Sequence, residues 1–500
     1  MSTFAKSYNP AENVWLVSAL GGIFIALITA FVLRSSYVWA GLIIIGIAVF
    51  VFSLAAKDFR NYWLAVFALV LPLEIKKVLI DSEPVRALIM TYGIPVGELP
   101  APVLHLSDLP FLVLMVHWLL EVTCRKQKIF FPKSNWMALA LLGWSGISLL
   151  NAKDFSCGFF DLLRMVKFYF LYLYMANNVR SKETVKTLMN FFLIGVIFQG
   201  LLCLFQYCTQ STGYLLAKFV GKEDLYTELM KRVEGLYRVA EVGDMGRRAS
   251  GTVGPTNAEA QYFEFFIPVT FLLWLTARNF RGRSLSFGAL ILGLLGLVVT
   301  FSRGGLIGIV VAIICVLILS RRFQLISNKK FLAILSLGLS MFIFVTSIGY
   351  KYFMYRPEAA SARVHLAKVG LEMVKSHPFL GVGLNNHLIL KPEYDPRSYA
   401  FPLATHNQFI LIASEVGIPG LIFFLGFFGL TILLTLRAAR SDDLYLTSVA
   451  VGILGALVSL GIHIQFDYFG THTNYTLLWL YAGLAAAMSR LNIDNCEKIG

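Results

Sequence analysis

The chain has 500 residues, 57% of them hydrophobic and only 14% charged, with a mean hydropathy of +0.70 and a formal net charge of +14. Apolar runs recur along its whole length, more than a single buried core can use, which excludes an ordinary soluble protein and makes this an all-α polytopic membrane protein. No folded basic domain or RNA-binding motif accompanies the positive charge, so nucleic acid is excluded as a partner and the charge is read as an orientation signal.

Runs near the length needed to cross hydrocarbon fall at 14–33, 37–56, 108–123, 136–150, 159–177, 188–207, 262–277, 285–301, 304–320, 331–349, 418–436, 446–466 and 473–489, with a shorter one at 61–74. They predict about 12–14 transmembrane helices in one integral domain spanning 1–500. The first run follows a lone Lys6 and lacks a small-residue cleavage pattern, so it is expected to stay as a helix. Short loops carrying Lys57 and Arg60, Arg125 to Lys133, Arg180 to Lys186, Arg278 to Arg283, Arg321 to Lys330, and Arg437 and Arg440 alternate with connections poor in positive charge. The positive-inside rule puts these loops and both termini in the cytoplasm. Two long loops, about 208–260 and 350–404, then lie on the outer side, the second predicted to be helical between Ala359 and Val374. Of six cysteines, only Cys157 and Cys208 fall where a disulfide between them is conceivable, and no metal-ligand spacing is present.

Four constellations lie at the outer boundary. Asp161, Arg164 and Lys167 recur every third residue of the run 159–177 and share one helix face. Arg164 and Lys167 fall progressively deeper, where charges are rarely idle, and both are candidate substrate-binding residues. The plainer alternative is an Asp161–Arg164 pair with Lys167 facing a polar seam. Next, Arg247-Arg248 precede Ala249-Ser250-Gly251-Thr252-Val253-Gly254-Pro255-Thr256-Asn257. Guanidiniums with bidentate donors, beside a turn rich in backbone N–H groups, suit a diphosphate; the alternative is a capped loop whose arginines meet lipid phosphates. The tight break Thr300-Phe301-Ser302-Arg303-Gly304-Gly305 places Arg303 either against an anion or snorkelling to headgroups.

The fourth is the second long loop, with Arg363, His365, His377 and His387, ending in His406-Asn407 directly before a helix that carries Glu415 and is broken at Gly417 and Pro419. Imidazole titrates nearest neutrality, so one of these histidines can move a proton to or from a hydroxyl or phosphate oxygen. His406 is favoured over His365, His377 and His387, because Asn407 and the following helix can fix its position. No carboxylate stands beside His406 in sequence.

Taken in order, Ser250-Gly251-Thr252-x-Gly254-x-x-Asn257, Ser302-Arg303-Gly304-Gly305, His377-Pro378-x-x-Gly381-x-Gly383, and His406-Asn407 with Glu415, Gly417 and Gly420 resemble the bacterial O-antigen ligase and O-antigen polymerase superfamily. The resemblance covers roughly residues 245–435; the N-terminal part is similar only in hydropathy. It implies a glycosyltransferase of surface polysaccharide and lipopolysaccharide biosynthesis in the bacterial inner membrane, working on the periplasmic face without nucleotide sugar, cofactor or metal. The implied donor is an undecaprenyl diphosphate-linked glycan. The acceptor is a hydroxyl of lipid A core for a ligase, or of another lipid-linked glycan for an O-antigen or exopolysaccharide polymerase. Matched position by position, Arg248 and Arg303 are expected diphosphate contacts, with Arg247 as the alternative to Arg248, and His406 is the expected acid/base or acceptor-orienting residue. Arg363, Glu415 and Asn407 extend the expected substrate site. A reading from another class is a transporter or flippase of lipid-linked glycan; a single obvious helix break and an unpaired long loop favour the enzyme over a repeat-built transporter.

Overall fold

The structure, a computed structural model, describes residues 37–78, 102–209, 248–336, 357–395 and 403–499. The predicted span 14–33, most of 331–349, the loop 210–247 and with it Arg247 lie outside the described residues. The chain begins with α1 (Tyr37–Leu54) and α2 (Phe59–Val70), followed by a 3-10 turn at Leu71–Leu73. Then come α3 (Asp108–Cys124), α4 (Asn135–Ser148), α5 (Phe155–Asn178), α6 (Lys182–Thr209), α7 (Thr256–Thr276), α8 (Phe280–Val299) and α9 (Arg303–Arg322). The second long loop holds α10 (Pro357–Ser376) and α11 (His387–Tyr394), so it is partly helical as expected, and α12 (Gln408–Ala438), α13 (Leu444–His463) and α14 (His472–Ile499) complete the fold.

Short polar residues start these helices by accepting orphan backbone N–H groups: Asp154 from Cys157, Ser302 from Gly305, Asn407 from Phe409 and Ile410, and Asp443 from Tyr445 and Leu446. Among the described residues, α6, α8, α9, α12 and α13 are each long and apolar enough to cross a membrane. Their outward side chains, Phe205, Ile291, Ile318 and Ile422 among them, are exposed, as a lipid-facing surface requires, because hydrocarbon does not penalise them. At the centre, α7 is buried from Ala258 through Leu273 and packs against α8, α13 and α14. This is a membrane protein built of helices.

The structure departs from the expectations at particular places. Lys76–Val78 (β1) and Val103–His105 (β2) pair antiparallel, with Lys76 opposite His105. Three-residue strands leave no period to read, and their pairing spans a long sequence gap. The helix predicted from 418 begins ten residues earlier, at Gln408, since the Asn407 cap starts a short helix that runs into the break. Cys157 and Cys208 are both free thiols, the first buried under the second long loop against Val369, Met373 and Val382 and the second exposed at the end of α6.

Candidate functional site

The sequence-remote constellations meet at one end of the bundle. Gln206 near the end of α6 accepts from the backbone N–H of Ser250 and Gly251 at 3.1 and 2.9 Å, and Gln199 accepts from Thr252 at 3.1 Å. The turn before α7 is thereby pinned to the bundle. Arg248 emerges from it with Nε donating to the Thr300 carbonyl at 2.7 Å and Nη2 donating to Asn257 Oδ1 at 3.0 Å. Asn257 in turn donates its amide to Asp467, and Asp467 holds His406 Nδ1 at 3.0 Å. One chain of polar contacts therefore joins the first loop, the α8–α9 break, the start of α12 and the α13–α14 connection.

Asp467 was not legible as a partner, and it supplies the carboxylate that sequence places nowhere near His406. It is buried, and its connection is tied to α12 by the Gln408 N–H, which donates to the carbonyls of Ile464 and Asp467 at 2.9 and 3.1 Å. Burial by itself would raise the Asp467 carboxyl; the charge and hydrogen bond of His406, followed by the charges of His463 and Arg363, outweigh it and hold the carboxyl well below the usual carboxylate range. Arg363 on α10 is half-buried within electrostatic reach of this carboxylate. Arg303 is likewise half-buried on the first turn of α9. The preceding Ser302 caps α9 and reaches His463 Nε2 at 3.4 Å, while Glu264 holds His463 Nδ1 at 2.8 Å. Arg303 is thus carried by a helix start fixed from below.

The glycine motifs have a physical cause. Gly417 adopts φ 75°, ψ 176°, breaking α12, and a Cβ there would lie 1.9 Å from the Phe379 carbonyl oxygen. Gly381, at φ 67°, would place a Cβ 2.3 Å from the Glu415 carbonyl carbon. The His377-to-Gly383 turn therefore lies directly on the broken helix, with Ile418 N donating to Pro378 O and Val382 N to Ser414 O, both at 2.8 Å. Trp144 Nε1 satisfies the Val416 carbonyl freed by the break at 2.9 Å.

The remaining candidates divide. Arg164 pairs with Asp161 at 2.9 Å and Lys167 with Asp108 at 2.8 Å. Asp161, Arg164 and Glu415 line one cavity of about 100 Å³, with Asn385, Tyr468 and His472 also on its wall. Tyr468 faces both sides, its ring centroid 5.6 Å from that of His406. Both polar atoms of Asn407 serve the fold: Oδ1 caps α12 and Nδ2 donates to Gln465 O at 3.0 Å. Among the other loop histidines, His365 meets Asp395 at 3.0 Å and His377 meets Tyr394 at 3.3 Å. His387 is buried between Ser414 and Thr405, and burial, reinforced by Lys391, pushes its pKa down to about 3.

Residues 288–425 match the family model described as O-antigen ligase. No curated protein matches the chain. The matched stretch contains Arg303, Arg363, His406, Asn407 and Glu415, while Arg248, Asn257 and Asp467 lie beyond it. Members of this family are ligases and polymerases acting on lipid-linked glycans, so an enzyme of that general kind is the functional class. The match over this stretch supports the resemblance of the chain's motifs to the O-antigen ligase superfamily.

Proposed function

We propose that the protein transfers a glycan from undecaprenyl diphosphate to an acceptor hydroxyl on the periplasmic face of the bacterial inner membrane, with both termini cytoplasmic. The observation that supports it is the polar chain from Arg248 through Asn257 and Asp467 to His406, which sets a guanidinium and an imidazole in one site. With Nδ1 donating to Asp467, His406 presents Nε2 as an acceptor of the acceptor-hydroxyl proton. As that proton moves to Nε2, the hydroxyl oxygen bonds the anomeric carbon, and the bond from that carbon to the phosphate oxygen breaks. The diphosphate leaves with the electron pair. Arg248 and Arg303 stabilise its growing negative charge, a contribution that counts most in a site partly shielded from water. Arg363 adds positive charge on the same side, and Asp467 orients the imidazole and stabilises its protonated form. Arg164, Lys167 and Glu415 border the sugar-bearing part of the substrates. Asn407 supports the site by holding the helix that follows His406.

The test uses Arg303→Ala and His406→Ala in cells, with membrane abundance measured beside surface polysaccharide. Loss of product at normal abundance supports the assignment; unchanged product from both variants defeats it. A deletion strain separates the acceptors. Lipid-linked polymer accumulating without long chains on lipid A core indicates ligation, and accumulation of single repeats indicates polymerisation.

A further inference from the structure

Glu264 on α7 and His463, the last residue of α13, are both buried at the centre of the bundle. Glu264 Oε1 lies 2.8 Å from His463 Nδ1, and His463 Nε2 lies 3.4 Å from Ser302 Oγ, which caps α9 by accepting the Gly305 N–H. The first turn of α9 rests directly on this pair. A Cβ at Gly304 would lie 2.6 Å from His463 Cδ2, and one at Gly305 would lie 2.7 Å from Glu264 Oε1. The two glycines after Arg303 therefore supply the clearance that lets the helix start sit against an imidazole and a carboxylate. Serine, histidine and glutamate here follow the connectivity of a hydrolytic triad. Ser302, however, is 2% exposed and its oxygen is engaged in the cap, so it is no nucleophile.

Such a pair is a costly way to fill a core. Ionisable groups inside a membrane bundle mark function more often than packing, and apolar residues of similar volume are often as stable or more so. Glu264 Oε2 adds to the cost, being buried without a hydrogen-bond partner among the described residues. We infer that Glu264 and His463 are positioning residues: they seat the start of α9 so that Arg303 is held in register with His406. The inference rests on the reading of Arg303 as a cation that stabilises the leaving diphosphate.

The register follows from what else the pair touches. His463 closes α13, and its carbonyl accepts the Phe466 N–H at 2.8 Å, so the same residue begins the turn that carries Asp467. One buried pair thus joins the helix start bearing Arg303 to the connection that holds His406. Asp467 has further supports, the Gln408 N–H on its carbonyl and the Asn257 amide on its carboxylate. The His406–Asp467 unit keeps these when the pair is lost, whereas the first turn of α9 loses the surface on which it lies. The effect of the pair on turnover therefore runs through Arg303.

The test is a double-mutant cycle on full-length protein in liposomes with a lipid-diphosphate glycan donor, comparing His463→Gln, Arg303→Ala and the two together. Turnover per folded molecule, donor KM and unfolding temperature are measured for each. His463→Gln is expected to lower kcat by about 10- to 100-fold, the scale of a small misplacement of a catalytic group, with a smaller change in donor KM. Added to Arg303→Ala, it is expected to lower kcat no further. The apolar double variant Glu264→Met, His463→Leu is expected to melt no lower than His463→Gln and to be no faster, a split that a merely structural role would not produce. Wild-type kcat in folded His463→Gln, recovered turnover in the apolar double variant, or losses that multiply with Arg303→Ala overturn the inference. Unchanged turnover in Arg303→Ala alone overturns instead the reading of Arg303, and the inference falls with it. Should His463→Gln fail to fold, the apolar double variant takes its place in the cycle; failure of both marks the pair as structural and overturns the inference.

Discussion

His387 and His406 belong to the same polar stretch of chain between two apolar runs, yet their surroundings give them opposite characters. His387 is 1% exposed and contacts the hydroxyls of Ser414 and Thr405 on its two nitrogens, an environment that keeps the ring neutral. His406 has 16% of its side chain exposed and gives one nitrogen to a buried carboxylate, which leaves the other directed away from Asp467. The partner decides what an imidazole can do, and residue type alone does not. A ring between two hydroxyls ties a loop to a helix; a ring on a carboxylate can accept a proton and bear the resulting charge.

The largest expected difference between the two is in turnover. His406→Ala is expected to lower glycan product by on the order of 10²-fold or more at unchanged abundance, the scale of acid–base assistance. His387→Gln is expected to leave product per folded molecule near wild type. Parallel assays of surface polysaccharide and membrane abundance check both, and a loss from His387→Gln matching that from His406→Ala breaks the comparison.

The next effect concerns the surface on which the loop rests. Gly417→Ala forces a Cβ into a left-handed backbone and onto the Phe379 carbonyl, so its cost exceeds the about 1–2 kcal/mol of the backbone term alone. Thermal unfolding of the purified variant measures it. His387→Ala is expected to cost about 1–3 kcal/mol, because Ser414 and Thr405 lose a buried partner. The same melt checks it, and no change there removes His387 from the packing.

The remaining effects are in pH dependence, and they separate the two sites by window. His387 has a folded pKa of about 3 against an ordinary 6.5, so the unfolded chain binds more protons between those values. Its stabilising contribution is complete above pH 6.5 and is lost as pH falls toward about 3. Asp467 is also depressed, from an ordinary 3.8, so its contribution is complete above that value and lost only at more acid pH. Unfolding temperatures from pH 7 to pH 4 are therefore expected to flatten in His387→Gln and to keep the wild-type slope in Asp467→Asn.

Much of this was legible from the chain, and the gaps have physical reasons. Helix positions followed from apolar run length, and the break at Gly417 from the glycine and nearby proline. Arg248, Arg303 and His406 stood out as candidates because each sits where polar chain meets an apolar run, a placement that hydropathy displays. Asp467 was missed because its partner lies 61 residues away and contact at that range leaves no local pattern. Its position in a short polar interruption between two apolar runs was the available signal. Asn257 was visible within a motif, but its role of linking Arg248 to Asp467 exists only in three dimensions. Asn407 shows the reverse: beside His406 it suggested substrate binding, whereas its side chain is occupied as a helix cap.

The most direct measurement is a double-mutant cycle on product formation by purified protein in liposomes with a lipid-diphosphate glycan donor, comparing His406→Ala, Asp467→Asn and the two together. If Asp467 works through His406, the double variant is no slower than His406→Ala alone. Losses that multiply would contradict a single unit and leave the two residues acting independently.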